Sequence, residues 1–481
     1  VLVHDKLFIG GQWSKPSGSD VINVISPTTE EIVGRVPAAT EEDVRRAVAA
    51  ARKAFDEGPW PKMSLDERGS FLLRLADLVE PRLPDAVNAQ IDEMGGTRQV
   101  LEAHTLSLGA MIRGWVDLSK TVPQREIRAG YAGDVVVLRE PVGVVAGVIP
   151  WNAPVLFIIV KLLPALLTGC PIIIKPSPDS PLSAYVIADA IEQVGFPEGV
   201  FSIIAGANEV GEALVSHRGV DKVSFTGSTV AGRRIASICG DQVKSCTLEL
   251  GGKSAAIILE DADLDKSIPD LVNKAMYNTG QSCVATTRIV APSSRYDEVV
   301  GHLIDHIKTL KIGDPHEADT DIGPLAGARH REKVEGYIRL GQQEGATLAL
   351  GGGRPDIAKG WYVEPTVFTN VDNKMRIAQE EIFGPVVSVI RYDGEDDAVR
   401  IANDSTYGLG GGVYTSDVEH GLEVAARIRT GSFTINDGPL GGGGGPAGGY
   451  KQSGLGREFS VEAFDNHYEF KSIALPAGYK A

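Results

Sequence analysis

The spacing of hydrophobic and polar positions changes character along the chain. Over the first 120 residues apolar side chains recur at helical intervals. Val44, Ala47, Val48 and Ala51 share one face of a helix predicted from Glu41 to Ala54, with Thr40 as its N-cap. Phe71, Leu72, Leu75 and Leu78 mark a second, and this part reads as mostly helical. From Asp134 short β-rich runs alternate with helices. Strands are predicted at Val135–Leu138, Val142–Ile149, Ile172–Lys175, Val200–Ile203, Lys222–Phe225 and Cys246–Leu250. Helices fall near Leu182–Val194, Val210–Ser216 and Thr229–Cys239. Such alternation predicts a parallel sheet covered on both faces, as in dinucleotide-binding folds.

After Gly252 the pattern restarts with a strand at Ala255–Leu259, a long helix to about Asn278, a strand at Arg288–Ala291 and a helix from Arg295 to Leu310. A second α/β unit follows from that restart. Arg125–Leu138, set off by Pro123 and Pro141, and Asn466–Leu475 read as strands with no local partner. They are expected to pair with each other or with another subunit, because a bare edge invites association. Pro154–Ile174 is nearly all apolar and long enough to span a bilayer, but Lys161 near its middle and Pro164 and Pro171 favour a buried helix running into a buried strand. Five consecutive glycines, Gly441–Gly445, read as a mobile loop.

Composition narrows the class. A chain of 481 residues implies two or three domains. With 47 basic against 63 acidic residues and a net charge of -16, it lacks the basic stripe that nucleic acid requires. Cys170, Cys239, Cys246 and Cys283 show no metal or redox spacing, which suits a reducing cytosol and a cytoplasmic location. The first residues, Val1 to Asp5, carry no secretory pattern.

Candidate chemistry sits at the ends of the predicted strands. Cys283 closes Asn278-Thr279-Gly280-Gln281-Ser282-Cys283, a small, polar setting that can expose a nucleophilic thiol. The other cysteines stand in apolar or strand contexts and read as buried. Glu249 ends an apolar strand, where it is either half of an ion pair or a general base raised by burial. Asn152 follows the strand ending at Ile149 and can form an Asx turn or donate to an oxyanion. Lys175 brings an ammonium to the same edge, as a solvated lysine or one that holds hydroxyls or phosphate. Phe225-Thr226-Gly227-Ser228-Thr229 leads from strand to helix and could offer N–H groups to a pyrophosphate, although it is not G-x-G-x-x-G. Glu380-Glu381-Ile382-Phe383-Gly384-Pro385 and the glycine-punctuated stretch Gly448–Glu458 complete the set.

The run Glu249-Leu250-Gly251-Gly252-Lys253-Ser254 stands thirty-four residues before Cys283, and these two motifs, in this order, resemble the active-site signatures of the aldehyde dehydrogenase superfamily. The resemblance extends from about Val21 to Tyr468. It implies Cys283 as nucleophile, Glu249 as base, Asn152 with the Cys283 backbone N–H as oxyanion hole, and Lys161 and Glu458 in a proton path. It implies cofactor contacts from Ile149, Pro150, Trp151, Lys175, Ser177, Gly227, Ser228, Gly251, Glu381 and Phe383, and a substrate funnel from Ala153, Phe157, Val160, Ser282 and Val284. The fold implied is α/β: a Rossmann-like cofactor domain (1–121 and 142–251), a second α/β catalytic domain (252–452) and a small β oligomerisation domain (122–141 and 453–481). No metal is implied. NAD is the expected cofactor, with NADP left open because Pro178 stands where many NAD-preferring members carry a glutamate, Asp179 being the nearest acid.

A homodimer or homotetramer oxidising an aliphatic or aromatic aldehyde is the expected whole. A CoA-acylating relative, a cysteine hydrolase and a catalytically silent protein on the same fold are the competing readings. Glu249 argues against the first, the absence of a histidine motif near Cys283 against the second, and the intact motif set against the third.

Overall fold

The computed structural model describes residues 2–442, 444–476 and 479. Val1, Ala477, Gly478, Lys480, Ala481 and, within the predicted glycine loop, Gly443 lie outside the described residues. Two large sheets carry the molecule. The first has eight strands, in the order Gly454–Leu455, Ser245–Glu249, Lys222–Thr226, Val145–Val148, Ile172–Lys175, Phe201–Ile203, Leu7–Ile9 and Gln12–Ser14. Its five central strands are parallel, and the outer pairings are antiparallel.

These strands are apolar because both faces are covered. Ile172 and Ile174 join the core on one face, where the helix Pro154–Thr168 packs, and Ile173 joins the core on the other. The apolar stretch from Pro154 is thus a buried helix followed by a buried strand, and no helix among the described residues is long and apolar enough to cross a membrane. From Val145–Val148 the chain winds to one side, through Ile172–Lys175 and Phe201–Ile203. It then returns to the other side through Lys222–Thr226 and Ser245–Glu249. The reversal opens a crevice at the carboxyl ends of Val145–Val148 and Lys222–Thr226, the place where open α/β sheets bind ligands.

The second sheet has seven strands, in the order Thr347–Leu350, Thr366–Thr369, Val386–Tyr392, Arg288–Pro292, Ala255–Ile258, Gly411–Tyr414 and Thr434–Ile435. All its pairings but that of Thr347–Leu350 are parallel. Ala255 and Ile257 enter the core on one face, Ala256 and Ile258 on the other.

The two orphan strands pair with each other: Tyr468–Ala474 runs antiparallel to Gly133–Pro141, which forms a hairpin with Arg125–Gly130. The single strand read from Arg125 is therefore two, turning at Tyr131-Ala132. Thr40 caps the helix Glu41–Asp56 through a reciprocal bond with Asp43. The mostly helical reading of the first part needs correction, because five short strands precede that helix, three of them in a separate small sheet with order Leu2–Val3, Ile32–Pro37, Val21–Ile25. Gly454–Leu455, assigned to the bridging segment, pairs with Ser245–Glu249 and so belongs to the first sheet.

Candidate active site

The loop that carries Cys283 is built under backbone tension. Asn278, Thr279 and Gly280 all lie at positive φ (52°, 58° and 71°), and for a β-branched threonine this is a rare conformation. The loop is held there from several sides. Asn278 Nδ2 donates to the Asn152 carbonyl (3.2 Å), the Thr279 hydroxyl accepts from Gly323 N–H (3.0 Å), and Gln281 Oε1 accepts from Ala326 N–H (2.9 Å). Gly280 admits no side chain: a Cβ there would stand 2.2 Å from the Gly384 carbonyl oxygen. Gly252 is as constrained, since its Cβ would meet the Cys283 carbonyl at 2.5 Å. The two motifs are thus in direct backbone contact.

A buried arginine the sequence reading missed locks them together. Arg288, five residues beyond Cys283, donates through Nε to the Lys253 carbonyl (2.8 Å) and through its other nitrogens to Asn373 Oδ1 and the Ile401 and Ala402 carbonyls (3.0 Å each). A guanidinium spends four donors on fixed acceptors, which holds both segments in place.

Two cavities meet at the thiol. One, of about 320 Å³, is a funnel lined by Asn152, Ala153, Leu156, Phe157, Glu249, Ser282, Cys283, Val284, Leu409 and Phe459, among others. The other, of about 350 Å³, runs along the sheet crevice. It is lined by Ile149, Pro150, Trp151, Lys175, Ser177, Pro178, Gly227, Ser228, Gly251, Glu381 and Phe383, with Cys283, Asn152 and Glu249 at its inner end. All ten residues expected to hold a cofactor therefore line one groove. Four of the five funnel residues line the other cavity, and Val160 does not. It is buried on the helix Pro154–Thr168, whereas Leu156, a turn earlier, lines the cavity. Asp179 is exposed and borders neither cavity.

Lys161 lies behind the funnel floor, fully buried, donating to Glu458 Oε1 (3.0 Å) and Ser224 Oγ (3.1 Å). Glu458 itself borders the funnel. Burial and the Glu458 carboxylate push Glu249 well above the usual carboxylate range, with Lys161 and Arg457 pulling the other way. Glu249 Oε1 is buried without a hydrogen-bond partner, and Gly448 packs so close that a Cβ there would stand 2.9 Å from that oxygen. A carboxyl this dry and raised suits general-base work. Burial, then the Glu381 and Glu249 carboxylates, push the half-buried Cys283 thiol up to about 12, against the backbone N–H groups of Cys283 and Val284. Asn152 Nδ2 donates one hydrogen to the Gln281 carbonyl (3.0 Å), which fixes the amide and leaves its second hydrogen for a ligand.

The groove has the features a dinucleotide needs. Ser228 caps the helix Thr229–Asp241, accepting from Ala231 N–H (3.2 Å), so that helix begins at the crevice. The Thr226 hydroxyl there is buried and unpartnered. A Cβ on Gly251 would strike Glu381 Oε2 at 2.4 Å, and Glu381 Oε1 accepts from Gly252 N–H (3.1 Å), so the acid is seated on bare backbone. Burial lowers Lys175 to about 8. Trp151 and Phe383 meet edge to face, with centroids 5.5 Å apart. His330, absent from the sequence reading, completes this wall through Nε2 to the Phe383 carbonyl (2.6 Å). It gave no signal there because Arg329-His330-Arg331 looks like a solvated helix.

A doubly wound sheet with a ligand crevice, facing a second α/β sheet whose loop brings a thiol to the crevice, defines a nucleotide-dependent oxidoreductase. The Aldehyde dehydrogenase family profile matches residues 13–473, and the chain belongs to that family. A geranial dehydrogenase of Castellaniella defragrans is 46% identical over 477 residues, 98% of this chain and 99% of its own. A 3-succinoylsemialdehyde-pyridine dehydrogenase of a Pseudomonas species is 42% identical over 483 residues, 98% of each chain. Among solved structures, a Mycobacterium tuberculosis aldehyde dehydrogenase complexed with NAD+ matches with a TM-score of 0.98 at 46% identity, covering 100% of both chains. A Pseudomonas syringae aldehyde dehydrogenase complexed with NAD+ and octanal matches with a TM-score of 0.95 at 40% identity, covering 99% of this chain and 98% of that one. The protein is an oxidoreductase, and its reaction is the oxidation of an aldehyde to the carboxylic acid.

Proposed function

We propose that the enzyme oxidises neutral aliphatic or aromatic aldehydes with NAD through a covalent adduct on Cys283. The observation that carries this is the position of Cys283 and Glu249, each bordering both the apolar funnel and the crevice groove. No lysine or arginine lines the funnel among the described residues, which favours an uncharged aldehyde over one bearing a second carboxylate. Ile149, Pro150, Trp151, Lys175, Ser177, Gly227, Ser228, Gly251, Glu381 and Phe383 would hold the cofactor. Lys175 and Glu381 would take ribose hydroxyls and the helix start at Ser228 the pyrophosphate.

Cys283 forms the bond to the carbonyl carbon as its proton passes to Glu249. Glu249 is the nearer match for a thiol proton because its own affinity for protons is raised. The oxyanion that develops is held by the free hydrogen of Asn152 Nδ2 and the Cys283 N–H. When bound, NAD supplies the hydride acceptor that lets the adduct become a thioester. Glu249 then takes a proton from water as the hydroxyl adds to that thioester, and the acid leaves with Cys283 restored to the thiol. The Lys161–Glu458 pair sets the field behind Glu249 and offers its proton a way out.

The same reading divides the chain into a cofactor part (1–121 and 142–251, joined by the strand Gly454–Leu455), a catalytic part (252–452) and a β part (122–141 and the rest of 453–481). The β part would join copies into a dimer or tetramer in the cytosol. Supporting this are the half-exposed Phe470 and Ile473 on the edge strand Tyr468–Ala474 and four unpaired thiols. The test is NADH absorbance with a panel of aldehydes, with and without coenzyme A, and with NADP in parallel. Cys283→Ala is expected to abolish turnover. A coenzyme A requirement would replace hydrolysis by acyl transfer.

A further inference from the structure

Many of the funnel's walls are apolar, and one hydrogen-bonded polar pair stands among them apart from the groups around the thiol. His104, at the end of the helix Arg98–Thr105, and Tyr277, at the end of the helix Leu264–Met276, both line the funnel. His104 Nδ1 and the Tyr277 hydroxyl are hydrogen-bonded at 3.2 Å. His104 Nε2 is buried and has no partner. An unsatisfied buried ring nitrogen costs about as much as a lost hydrogen bond, so a site that retains one has a use for it. The surroundings hold no charge that would protonate the ring, and burial lowers His104 to about 4, which keeps it neutral.

A neutral imidazole carries one N–H. If the Tyr277 hydroxyl donates to Nδ1, then Nε2 is a donor; if Nδ1 donates to the hydroxyl oxygen, Nε2 is an acceptor. A hydroxyl group satisfies either case. Tyr277 is also fixed in position, because it sits six residues before Cys283 on the strained loop that Asn278 and Thr279 anchor.

We propose that His104, held by Tyr277, is a specificity-determining subsite for aldehydes that carry a hydroxyl on an apolar body, remote from the reacting carbon. This rests on the reading of the funnel as the aldehyde site. Leu156, Phe157 and Phe459 accept the apolar body, and His104 Nε2 takes the hydroxyl.

The test compares n-alkanals with ω-hydroxyalkanals of eight to twelve carbons on the wild type, His104→Leu and Tyr277→Phe. At the length that spans from Cys283 to His104, the wild-type ratio of hydroxyalkanal to alkanal kcat/KM should peak. His104→Leu should lower that ratio about tenfold, through KM rather than kcat, and Tyr277→Phe should lower it by a smaller factor. Alkanal kcat/KM should rise in His104→Leu, because an alkyl tail no longer strands a ring nitrogen; a merely structural defect would lower both substrates together. A ratio within twofold of wild type at every length in both variants overturns the subsite while leaving aldehyde oxidation standing. No NADH from any aldehyde with any of the three proteins overturns both.

Discussion

Cys283 offers the sharpest test, because burial of a thiol has a cost that can be measured without turnover. With its thiol pushed up to about 12, the resting cofactor-free enzyme holds on the order of 10⁻⁵ to 10⁻⁴ of Cys283 as thiolate at pH 7.5. An ordinary cysteine holds roughly a tenth. The deficit is about 3.5 decades, and the greater nucleophilicity of a more basic thiolate restores about 1.6 of them at a Brønsted slope near 0.45. Alkylation of Cys283 by iodoacetamide should therefore run about 100-fold slower than that of a free cysteine. It should climb close to tenfold per pH unit from 7 to 10 without a plateau.

The charged contributors supply the sign. Glu381 and Glu249 both disfavour the thiolate, so Glu381→Gln and Glu249→Gln each lower the thiol's proton affinity. A shift of about one unit per carboxylate, after the loss in nucleophilicity, makes each variant about three- to fourfold faster at pH 7.5. Mass spectrometry of the Cys283 peptide over time reads this apart from Cys170, Cys239 and Cys246. A wild-type plateau below pH 9, or no acceleration in either variant, refutes the account of the site's electrostatics.

Glu249→Gln should slow the burst of NADH in rapid mixing, since the thiol loses its proton acceptor, and slow hydrolysis further, so that a burst remains while steady-state turnover falls by about 10²- to 10⁴-fold; an unchanged steady state removes Glu249 as the base. Glu458→Gln deletes a charge that raises Glu249 and leaves Lys161 without its partner, so Glu249 loses protons more readily. A base works above its own titration, so the acid limb of the kcat–pH profile should move to lower pH. A limb that stays or moves up contradicts the coupling. Thermal denaturation should also show the cost of an uncompensated buried ammonium, about 3–5 kcal/mol. Gly280→Ala drives a Cβ into the Gly384 carbonyl at a position with φ of 71°. Activity should fall at least about 100-fold together with a lower melting temperature, and a variant with wild-type kcat would mean that the loop's tension is incidental.

What was legible in the sequence was whatever depends on neighbours along the chain. The helix Glu41–Asp56 announces itself through its stripe and its Thr40–Asp43 cap, and the parallel strands through apolar runs ended by glycine, proline or a functional side chain. Leu7–Ile9 and Gln12–Ser14 could not be seen this way. Strands of three residues show no alternation, and their place is set by a partner nearly two hundred residues on, Ile203 opposite Phe8. Arg288, His330, His104 and Tyr277 share that invisibility, since each owes its role to acceptors or walls brought from distant segments.

Val160, expected in the funnel, does not line it, for a more instructive reason. Ala153, Leu156 and Phe157 follow helical spacing into the funnel, and the next turn should continue the stripe. But each residue descends about 1.5 Å along the axis, so Val160 lies roughly 10 Å beyond Ala153, next to Lys161, and is not among the lining residues. Periodicity gives the face a side chain occupies and says nothing of where along that face a cavity stops. Here it stops where the Lys161–Glu458 pair begins. The helix that walls the funnel therefore also carries, one turn on from Phe157, the Lys161 charge that acts on Glu249.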